Sequence, residues 1–263
     1  MARFSDVFPG VKPIIGMIHL PPLPDYPESP GIDEIIRHAL RDQQLLEQAG
    51  ADGILIENEY DRPHRVTASA ETVVAMAEIT RAVVQESKKA IVGCEILLND
   101  PQASLEVAKT SGARFIRTDY FVDAMTRPGY GEFEIDPRGL MDYRRSLGAE
   151  DVLVVADIQV KYATMIEPRP LAESARSACE EKADAIVVTG SETGNAPTIS
   201  ALREAAAASD VPVLIGSGLD TDNAASLLAA CDGAIVGSSL MHERAIDADA
   251  VDLLMSLLGR APR

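Results

Sequence analysis

Eight short apolar runs, each followed by a longer amphipathic segment, constrain the fold of this chain more than any other feature. The runs occupy residues 14–20, 53–58, 91–98, 115–121, 152–158, 185–190, 213–218 and 234–239. Their length is typical of buried strands, whereas segments such as residues 32–48 and 171–182 have the apolar spacing of helices. Strands that alternate with helices must pair in parallel through right-handed crossovers, so eight such units predict a closed (β/α)₈ TIM barrel.

A single domain over residues 1–263 accommodates all eight units, because such barrels commonly need about 250 residues. A doubly wound open sheet also alternates strands with helices, but it usually has fewer strands and a glycine fingerprint after the first one. Here the first run leads into the segment HLPPLP instead. No low-complexity segment divides the chain, so we expect one domain.

The charge of the chain limits its partners. It has 41 acidic and 24 basic residues, a formal net charge of −17, and a surface this acidic repels nucleic acid and anionic lipid. It is typical of a halophilic protein, although many ordinary cytosolic proteins are also acidic. We find no apolar run of about 18 residues, no signal-peptide pattern and only three widely separated cysteines. We therefore expect a cytoplasmic protein without membrane insertion, and a homo-oligomer on the general frequency of symmetric assemblies.

The last two apolar runs end in glycine and serine residues that predict a phosphate site. Glycines leave backbone N–H groups accessible to an anion, serines add hydroxyl donors, and barrels frequently bind phosphate after strands seven and eight. The alternative is that these glycines only permit tight turns. The predicted phosphate contacts are Gly216, Ser217, Gly218, Gly237, Ser238 and Ser239.

Polar residues concentrate where the first six runs end, which is where barrels of this class assemble their active sites. Four of them are carboxylates that would share protons, hold a divalent cation such as Mg²⁺, or pair with neighbouring cations. Those four are Glu57, Glu95, Asp119 and Asp157. The predicted catalytic residues are Asp157, Lys161, Glu57, Glu95, Arg117 and His19, and the further substrate contacts are Asn58, Asn99, Asp119, Thr189 and Gly190.

Two of the predicted catalytic residues have alternative roles. Lys161 would act as a Schiff-base nucleophile or, more simply, neutralise a substrate phosphate. His19 would act as a general acid or base, or satisfy a hydrogen bond in the core. In the loop after the second run, His64 is placed to reach a substrate, and Arg62 and Arg65 beside it would clamp an anion.

Seven segments in order along the chain resemble the BtpA family. They are PIIGMIHLPPLPDYPESP, GADGILIEN, LLNDPQASLEVAKTSGARFIRTD, VLVVADIQVKYA, ADAIVVTGSETG, VPVLIGSGLDTDNA and CDGAIVGSSL. The resemblance implies a barrel of the ribulose-phosphate-binding type, in a family named for photosystem I biogenesis, with SgcQ-like members in sugar-utilisation settings. It implies a site at His19, Glu57, Asn58, Asn99, Arg117, Asp157, Lys161, Thr189 and Gly190, with phosphate at Gly216, Ser217, Gly218, Gly237 and Ser238.

The chain departs from the family pattern at four places. Glu95 and Asp119 stand where asparagine is usual or frequent, and Tyr162 stands where histidine usually follows the lysine. The segment MHERAID replaces a Lys-x-Gly-Gly loop after the last strand. Two of these changes add negative charge at the mouth, which indicates a different substrate or a metal requirement.

Two functions remain open from the sequence. One is an enzyme that acts on a small phosphorylated metabolite, a sugar phosphate or a nucleotide-derived compound, by lyase, isomerase or glycosyl-transfer chemistry. No organic cofactor is indicated, and Mg²⁺ is the one inorganic candidate. The other is a non-catalytic assembly or stability factor that works through its surface.

Overall fold

Eight parallel strands pair with their neighbours in sequence, and the first also pairs with the last, so the sheet closes on itself. The computed structural model describes residues 3–10, 12–133 and 135–260. The strands are β1 Ile14–His19, β2 Gly53–Glu57, β3 Ile91–Glu95, β4 Phe115–Thr118, β5 Leu153–Ile158, β6 Ala185–Val188, β7 Val213–Ile215 and β8 Gly233–Val236. The predicted (β/α)₈ barrel is confirmed.

A helix follows each strand and covers the outside of the barrel. Several of these helices begin at an aspartate, serine or threonine whose side chain accepts a hydrogen bond from a backbone N–H in the first turn, as at Asp100, Asp136 and Thr198. The helices are α1 Ile32–Gln48, α2 Ala70–Glu86, α3 Pro101–Ser111, α4 Pro137–Ser146, α5 Leu171–Glu180, α6 Ile199–Ala207, α7 Ala224–Leu228 and α8 Ala248–Leu257. None of the helices in the described ranges is long and apolar enough to cross a membrane.

The barrel interior is a packed apolar core closed from below. Inward side chains of alternate strand positions fill it, and a helical turn at Phe4–Val7 with the following Phe8 plugs the bottom. The Phe8 and Phe115 rings lie 5.9 Å apart, edge to face. Gly93 makes room for Phe115, because a Cβ there would lie 2.4 Å from that ring. A sealed lower end leaves the opposite, carboxyl end as the opening.

Two small accessory sheets lie at that opening. One, called the flap below, has three antiparallel strands at Met125–Arg127, Gly131–Glu132 and Thr164–Met165. It packs on a separate apolar cluster in which the rings of Tyr120 and Phe133 stack with centroids 3.8 Å apart. The other is a hairpin that pairs Met241–His242 with Ala245–Ile246. Both hold loops after the barrel strands in defined positions.

The last two strands are shorter than the apolar runs indicate. The runs predicted at 213–218 and 234–239 extend past the observed ends at Ile215 and Val236. The sequence interpretation of these bounds was wrong because glycines and serines after a strand continue its low polarity without continuing its pairing. The glycine-serine segments 216–218 and 237–239 therefore lie outside the strands. The second of them enters a 3₁₀ turn at Ser238–Leu240.

A candidate active site at the carboxyl end of the barrel

A cavity of about 760 Å³ opens at the carboxyl ends of the strands. A volume in this range suits a small metabolite. Its floor is made by the last inward-facing residue of each strand, and its walls by the loops that follow. The predicted site residues among its lining are His19, Glu57, Arg117, Asp119, Lys161, Gly216, Ser217, Gly218, Gly237, Ser238 and Ser239.

Arg117 and Asp157 form a bidentate ion pair across neighbouring strands at the floor. Arg117 Nε donates to Asp157 Oδ1 at 2.9 Å and Nη2 donates to Oδ2 at 2.8 Å. Both side chains are buried, with Arg117 3% and Asp157 1% exposed. Although burial opposes the charge, the carboxylates of Asp157 and Glu95 hold the pKa of Arg117 well above its usual range. Asp157 thus fixes Arg117, and only the arginine reaches the cavity.

The other three predicted carboxyls near Arg117 all have raised pKa values, and Glu95 does not line the cavity. Burial raises the pKa of Glu57 and raises that of Glu95 well above its ordinary value. Burial also raises the pKa of Asp119 to about 7, with the Asp157 charge adding to the effect. Glu95 Oε2 has no hydrogen-bond partner among the described residues and lies 3.8 Å from Arg117 Nε. The positive charge of Arg117 opposes the rise in all three pKa values.

The four carboxylates do not form a cation site. Two of them face Arg117 instead: Asp157 pairs with it at 2.8 Å, and Glu95 lies 3.8 Å from it. Within residues 3–10, 12–133 and 135–260, no three His, Cys, Asp or Glu side chains are arranged to hold a metal. The residues present at the floor therefore do not fit the divalent-cation alternative for Glu57, Glu95, Asp119 and Asp157.

His19 and Glu57 form a second pair on β1 and β2. His19 Nε2 lies 3.4 Å from Glu57 Oε2, and both side chains are largely buried. Burial lowers the pKa of His19 to about 4, so the imidazole is neutral at pH 7. The contact therefore joins a neutral imidazole to a carboxyl whose pKa is raised by burial. A carboxyl with a raised pKa that contacts an imidazole is suited to general acid or base catalysis.

Lys161 lies in the loop after β5 and lines the cavity. No carboxylate oxygen of the described residues lies within 4.0 Å of its ammonium group. It is near enough to affect the pKa values of His19, Glu57 and Asp119 through its charge. Lys161 therefore contributes positive charge to the cavity without a carboxylate partner among the described residues.

The wall after β7 brings three backbone segments close together. Gly218 has φ +70°, and a Cβ there would lie 2.1 Å from Ala196 N. The Ser217 hydroxyl accepts from Gly190 N at 3.1 Å and donates to Asn195 O at 2.9 Å. The Ser217 hydroxyl therefore joins the loops after β6 and β7. The groups of these loops that are left to contact a ligand are backbone groups.

The wall after β8 begins with Gly237 and continues into the 3₁₀ turn at Ser238–Leu240. The first N–H groups of such a turn have no carbonyl partner inside it, so they face outward from its start. Ser238 and Ser239 are exposed, and the Ser239 hydroxyl donates to Leu219 O at 2.6 Å. A short extra helix at this point of a barrel is a frequent part of phosphate sites.

Four other predicted contacts do not line the cavity. Asn58 is buried: its Oδ1 accepts from Leu97 N at 2.8 Å and its Nδ2 donates to Asp61 Oδ2 at 2.9 Å. The oxygen atoms Asn99 Oδ1 and Thr189 Oγ1 are buried with no hydrogen-bond partner in the described part of the chain. Gly190 lies against the 195 peptide, where a Cβ would be 2.2 Å from Asn195 O. These residues shape the loops around the cavity.

Several cavity residues were absent from the predicted site because they lie on loops or on the flap. Glu59, Leu97 and Leu98 follow strand ends, while Arg127, Tyr130 and Tyr162 line the side next to the flap. The positive φ of Tyr162, 62°, is unusual for a bulky residue. The sequence signal available for them was the departure at Tyr162 and the long loop after β4.

The two arginines near His64 do not form the predicted clamp. Arg62 pairs with Glu59, and its Nη1 lies 2.6 Å from His64 Nδ1. Arg65 turns outward to pair with Asp25. The cavity lining does include Arg62 and His64, but it does not include Arg65.

The sequence model of the BtpA family matches residues 10–260. The chain belongs to the BtpA family. A relative from Archaeoglobus fulgidus, an uncharacterized protein, is 33% identical over 240 residues, which cover 91% of this chain and 96% of the relative. The photosystem I biogenesis protein BtpA of Synechocystis is 35% identical over 244 residues, which cover 92% and 84%. The family assignment from the seven segments is confirmed.

Solved barrels outside the BtpA family share the fold. The (S)-3-O-geranylgeranylglyceryl phosphate synthase of Thermoplasma acidophilum, solved with its substrate sn-glycerol-1-phosphate, superimposes with a TM-score of 0.63, 17% identity and 98% coverage of both chains. Phosphoribosyl anthranilate isomerase of Thermus thermophilus gives a TM-score of 0.60 at 13% identity, covering 94% of this chain and 98% of the isomerase. At these identities the likeness concerns the architecture alone.

The segment MHERAID, which departs from the BtpA family pattern, forms the hairpin after β8. Glu243 and Arg244 have φ +47° and +72°, as a two-residue hairpin turn requires. The Arg244 guanidinium lies 4.7 Å from the centre of the Tyr60 ring, which meets His19 edge to face at 6.1 Å. The hairpin therefore connects the loop after β8 with the loop after β2 over the first strand.

Proposed function

We propose that the chain is an enzyme that binds a small phosphorylated metabolite in the mouth of the barrel and moves a proton on it. The observation that carries this is the division of one cavity into two sides. The β7 and β8 side offers small residues and backbone groups at Gly216, Ser217, Gly218 and Gly237. The β1 to β5 side offers Arg117 and Lys161 together with the carboxyls of Glu57 and Asp119, whose pKa values are raised.

The phosphate is assigned to the small side. The close packing of Gly218 against Ala196 and of Gly216 against Val187 leaves the cavity wall without side-chain bulk at these positions. A 3₁₀ turn starting at Ser238 adds outward N–H groups. Backbone N–H groups at the start of a helical turn bind anions without a counterion on the protein. Sugar phosphates and nucleotide-derived phosphates both carry the required group.

Proton transfer is assigned to Glu57, with Asp119 as the second carboxyl. Both line the cavity and both have a raised pKa, which brings a carboxyl closer to neutral pH, where acid and base catalysis are efficient. His19 beside Glu57 provides a neutral polar neighbour that orients this carboxyl. Asp157 is engaged by Arg117, so its role is to hold that guanidinium toward the developing negative charge.

The structural relatives support this assignment by analogy. The Thermoplasma enzyme was solved with a glycerol phosphate, and the Thermus isomerase is named for a phosphoribosyl substrate. Isomerase, lyase and group-transfer chemistry all use one general acid or base near a held phosphate. The fold does not choose among them.

The test is a ligand panel with matched variants. Thermal shifts and calorimetry with phosphorylated metabolites are expected to show binding to the wild-type chain that Lys161→Met weakens at least tenfold. Lys88→Met is the control, because Lys88 is an exposed lysine in the connection before β3, at the closed end of the barrel. Glu57→Gln should retain binding and lose turnover of the ligand identified. Binding unchanged by Lys161→Met would overturn the assignment.

The Synechocystis relative favours a second candidate, a factor for assembly of another protein, because its name refers to photosystem I biogenesis. A surface-acting factor has no use for the charged residues of the cavity. If no panel member binds, and if Lys161→Met and Glu57→Gln leave biogenesis activity of such a relative intact at the equivalent positions, the assembly function is preferred.

A further inference from the structure

We propose that the cavity has a second anion subsite centred on Arg127, so that the substrate has an acidic group at each end. The second group is a phosphate or a carboxylate, the two anions that a planar guanidinium binds in bidentate fashion. This inference rests on the proposed function, because it takes the first phosphate to be at the glycine-serine loops.

The topology places Arg127 across the mouth from those loops. In the closed strand order, β4 is four positions from β8 in either direction around the barrel and three positions from β7 by the shorter way. Arg127 lies on the flap, in the connection after β4. Its side chain lines the same cavity as Gly218 and Gly237. A ligand held at both points would cross the floor where Arg117 and Glu57 lie.

Arg127 is a cavity arginine with no carboxylate partner in the described ranges. No Asp or Glu oxygen of residues 3–10, 12–133 and 135–260 lies within 4.0 Å of its guanidinium. By contrast, Arg62 and Arg117 on the same cavity are paired with Glu59 and Asp157. In a chain with 41 acidic residues, a cavity-lining guanidinium without such a partner is suited to an anion from outside.

Two tyrosine rings hold the guanidinium in place without neutralising it. Its carbon lies 5.8 Å from the centre of the Tyr130 ring and 5.5 Å from that of Tyr162. Both distances are within the range of cation–π contacts, which do not neutralise the positive charge. The Tyr120 hydroxyl is a further polar neighbour of this guanidinium and is likewise uncharged. The Tyr162 hydroxyl accepts a hydrogen bond from Thr193 N at 2.8 Å, which fixes this ring although it is 45% exposed. The subsite is therefore preorganised on the described side chains.

The experiment compares ligands that differ by one anionic group. Calorimetry would measure fructose 6-phosphate against fructose 1,6-bisphosphate, and sorbitol 6-phosphate against 6-phosphogluconate. We expect the doubly acidic member of at least one pair to bind about tenfold more tightly, as a charge-assisted bidentate contact provides. The pair that shows the gain identifies the second group as a phosphate or as a carboxylate.

Arg127→Gln is expected to remove this gain while changing the affinity for the singly phosphorylated member by less than about twofold. Arg127→Lys, which keeps the charge but not the fork, should retain part of it. Arg203→Gln on the exposed face of α6 is the control for the loss of one positive charge far from the mouth. Crystals of the wild-type chain soaked in inorganic phosphate should show one anion at the glycine-serine loops and one at Arg127.

Two outcomes would overturn the second subsite. One is equal affinity within both ligand pairs, or no measurable binding of either doubly acidic ligand. The other is an anion at the glycine-serine loops with none at Arg127, which would leave the proposed function standing. If the loops themselves take up no phosphate in the same crystals, the proposed function fails as well, so the two failures are distinguishable.

Discussion

Arg117 and Asp157 lie on adjacent barrel strands and form two parallel hydrogen bonds of 2.9 and 2.8 Å where the barrel opens to its cavity. Their Cα positions are set by the β4–β5 register, in which Arg117 is opposite Val155. Their charges are shielded from water by the strands around them. The pair therefore affects the stability of the barrel, and it also fixes the position of Arg117 at the cavity.

Breaking this pair from one side should be costly. Asp157→Leu leaves the buried guanidinium with only the more distant Glu95 as an ion-pair partner. We therefore expect the free energy of unfolding, measured by urea denaturation, to fall by about 3–5 kcal/mol. The double variant Arg117→Met with Asp157→Leu removes both charges and should lose less than the single variant. A single-variant loss below about 1 kcal/mol would show that the pair is not desolvated as the structure indicates.

Gly218 should tolerate no side chain. In Gly218→Ala the Cβ would lie 2.1 Å from Ala196 N, and φ is +70°. We expect this variant to lose phosphate binding in calorimetry and to unfold more easily than the control. The control Gly148→Ala has a similar φ of +65° with no atom within 4 Å of the added Cβ. It should cost only about 1–2 kcal/mol for the left-handed backbone, and equal losses in the two variants would refute the close approach.

Asn58 should affect stability rather than ligand binding. In Asn58→Asp the donor to Asp61 is lost, and two carboxyls face each other at a position where burial already raises the pKa of Asp61. We expect a loss of about 1–3 kcal/mol in unfolding free energy. Glu57→Gln, one residue earlier, is the comparison, since it should lose turnover while sparing both ligand binding and stability. A selective loss of ligand affinity in Asn58→Asp would instead place this residue in the site.

Anion affinity should fall as Asp119 ionises. Burial raises the pKa of this carboxyl to about 7, so it gains negative charge inside the cavity as pH passes through neutrality. Sulfate, which does not titrate in this range, should bind more weakly at about pH 8 than at about pH 6. Asp119→Asn should flatten this dependence, and a pH dependence unchanged in that variant would assign the titration to another group.

The same shift has a consequence for stability. The carboxyl is ionised in the unfolded chain above its ordinary pKa of 3.8 but holds its proton in the folded chain up to about 7. Between these two pH values the folded state therefore binds more protons than the unfolded state. As a result, the contribution of Asp119 to the free energy of unfolding falls as pH rises through this window. Denaturation of the wild type and of Asp119→Asn at several pH values should show a more negative slope for the wild type there. Matching slopes would contradict the shift.

The strand count and the barrel were predictable because they depend on local patterns. Apolar runs of strand length and the helical spacing between them are present in each segment separately, and the crossover rule converts them into a topology. The location of the mouth followed from that topology. The phosphate assignment for Gly216–Gly218 and Gly237–Ser239 followed too, and it remains a prediction.

Side-chain partners were not predictable in the same way. Asn58 and Glu57 are consecutive at a strand end, yet Glu57 lines the cavity whereas Asn58 turns to Leu97 and Asp61. Asp157 had the sequence context of a catalytic carboxylate, but its partner Arg117 is 40 positions away in the chain. Arg127 had only the length of the loop after β4 as a signal, because a three-stranded flap assembled from two separate loops brings it to the cavity.

The sequence by itself determined the number of strands, their parallel order and the end of the barrel at which polar residues gather. Only the tertiary structure decided which carboxyl is held by an arginine, which carboxyls have a raised pKa and which guanidinium lacks a carboxylate partner among the described residues. The physical reason is that periodicity is a property of neighbours in the chain. Burial and charge pairing depend instead on distances across the barrel that strand register and loop packing set.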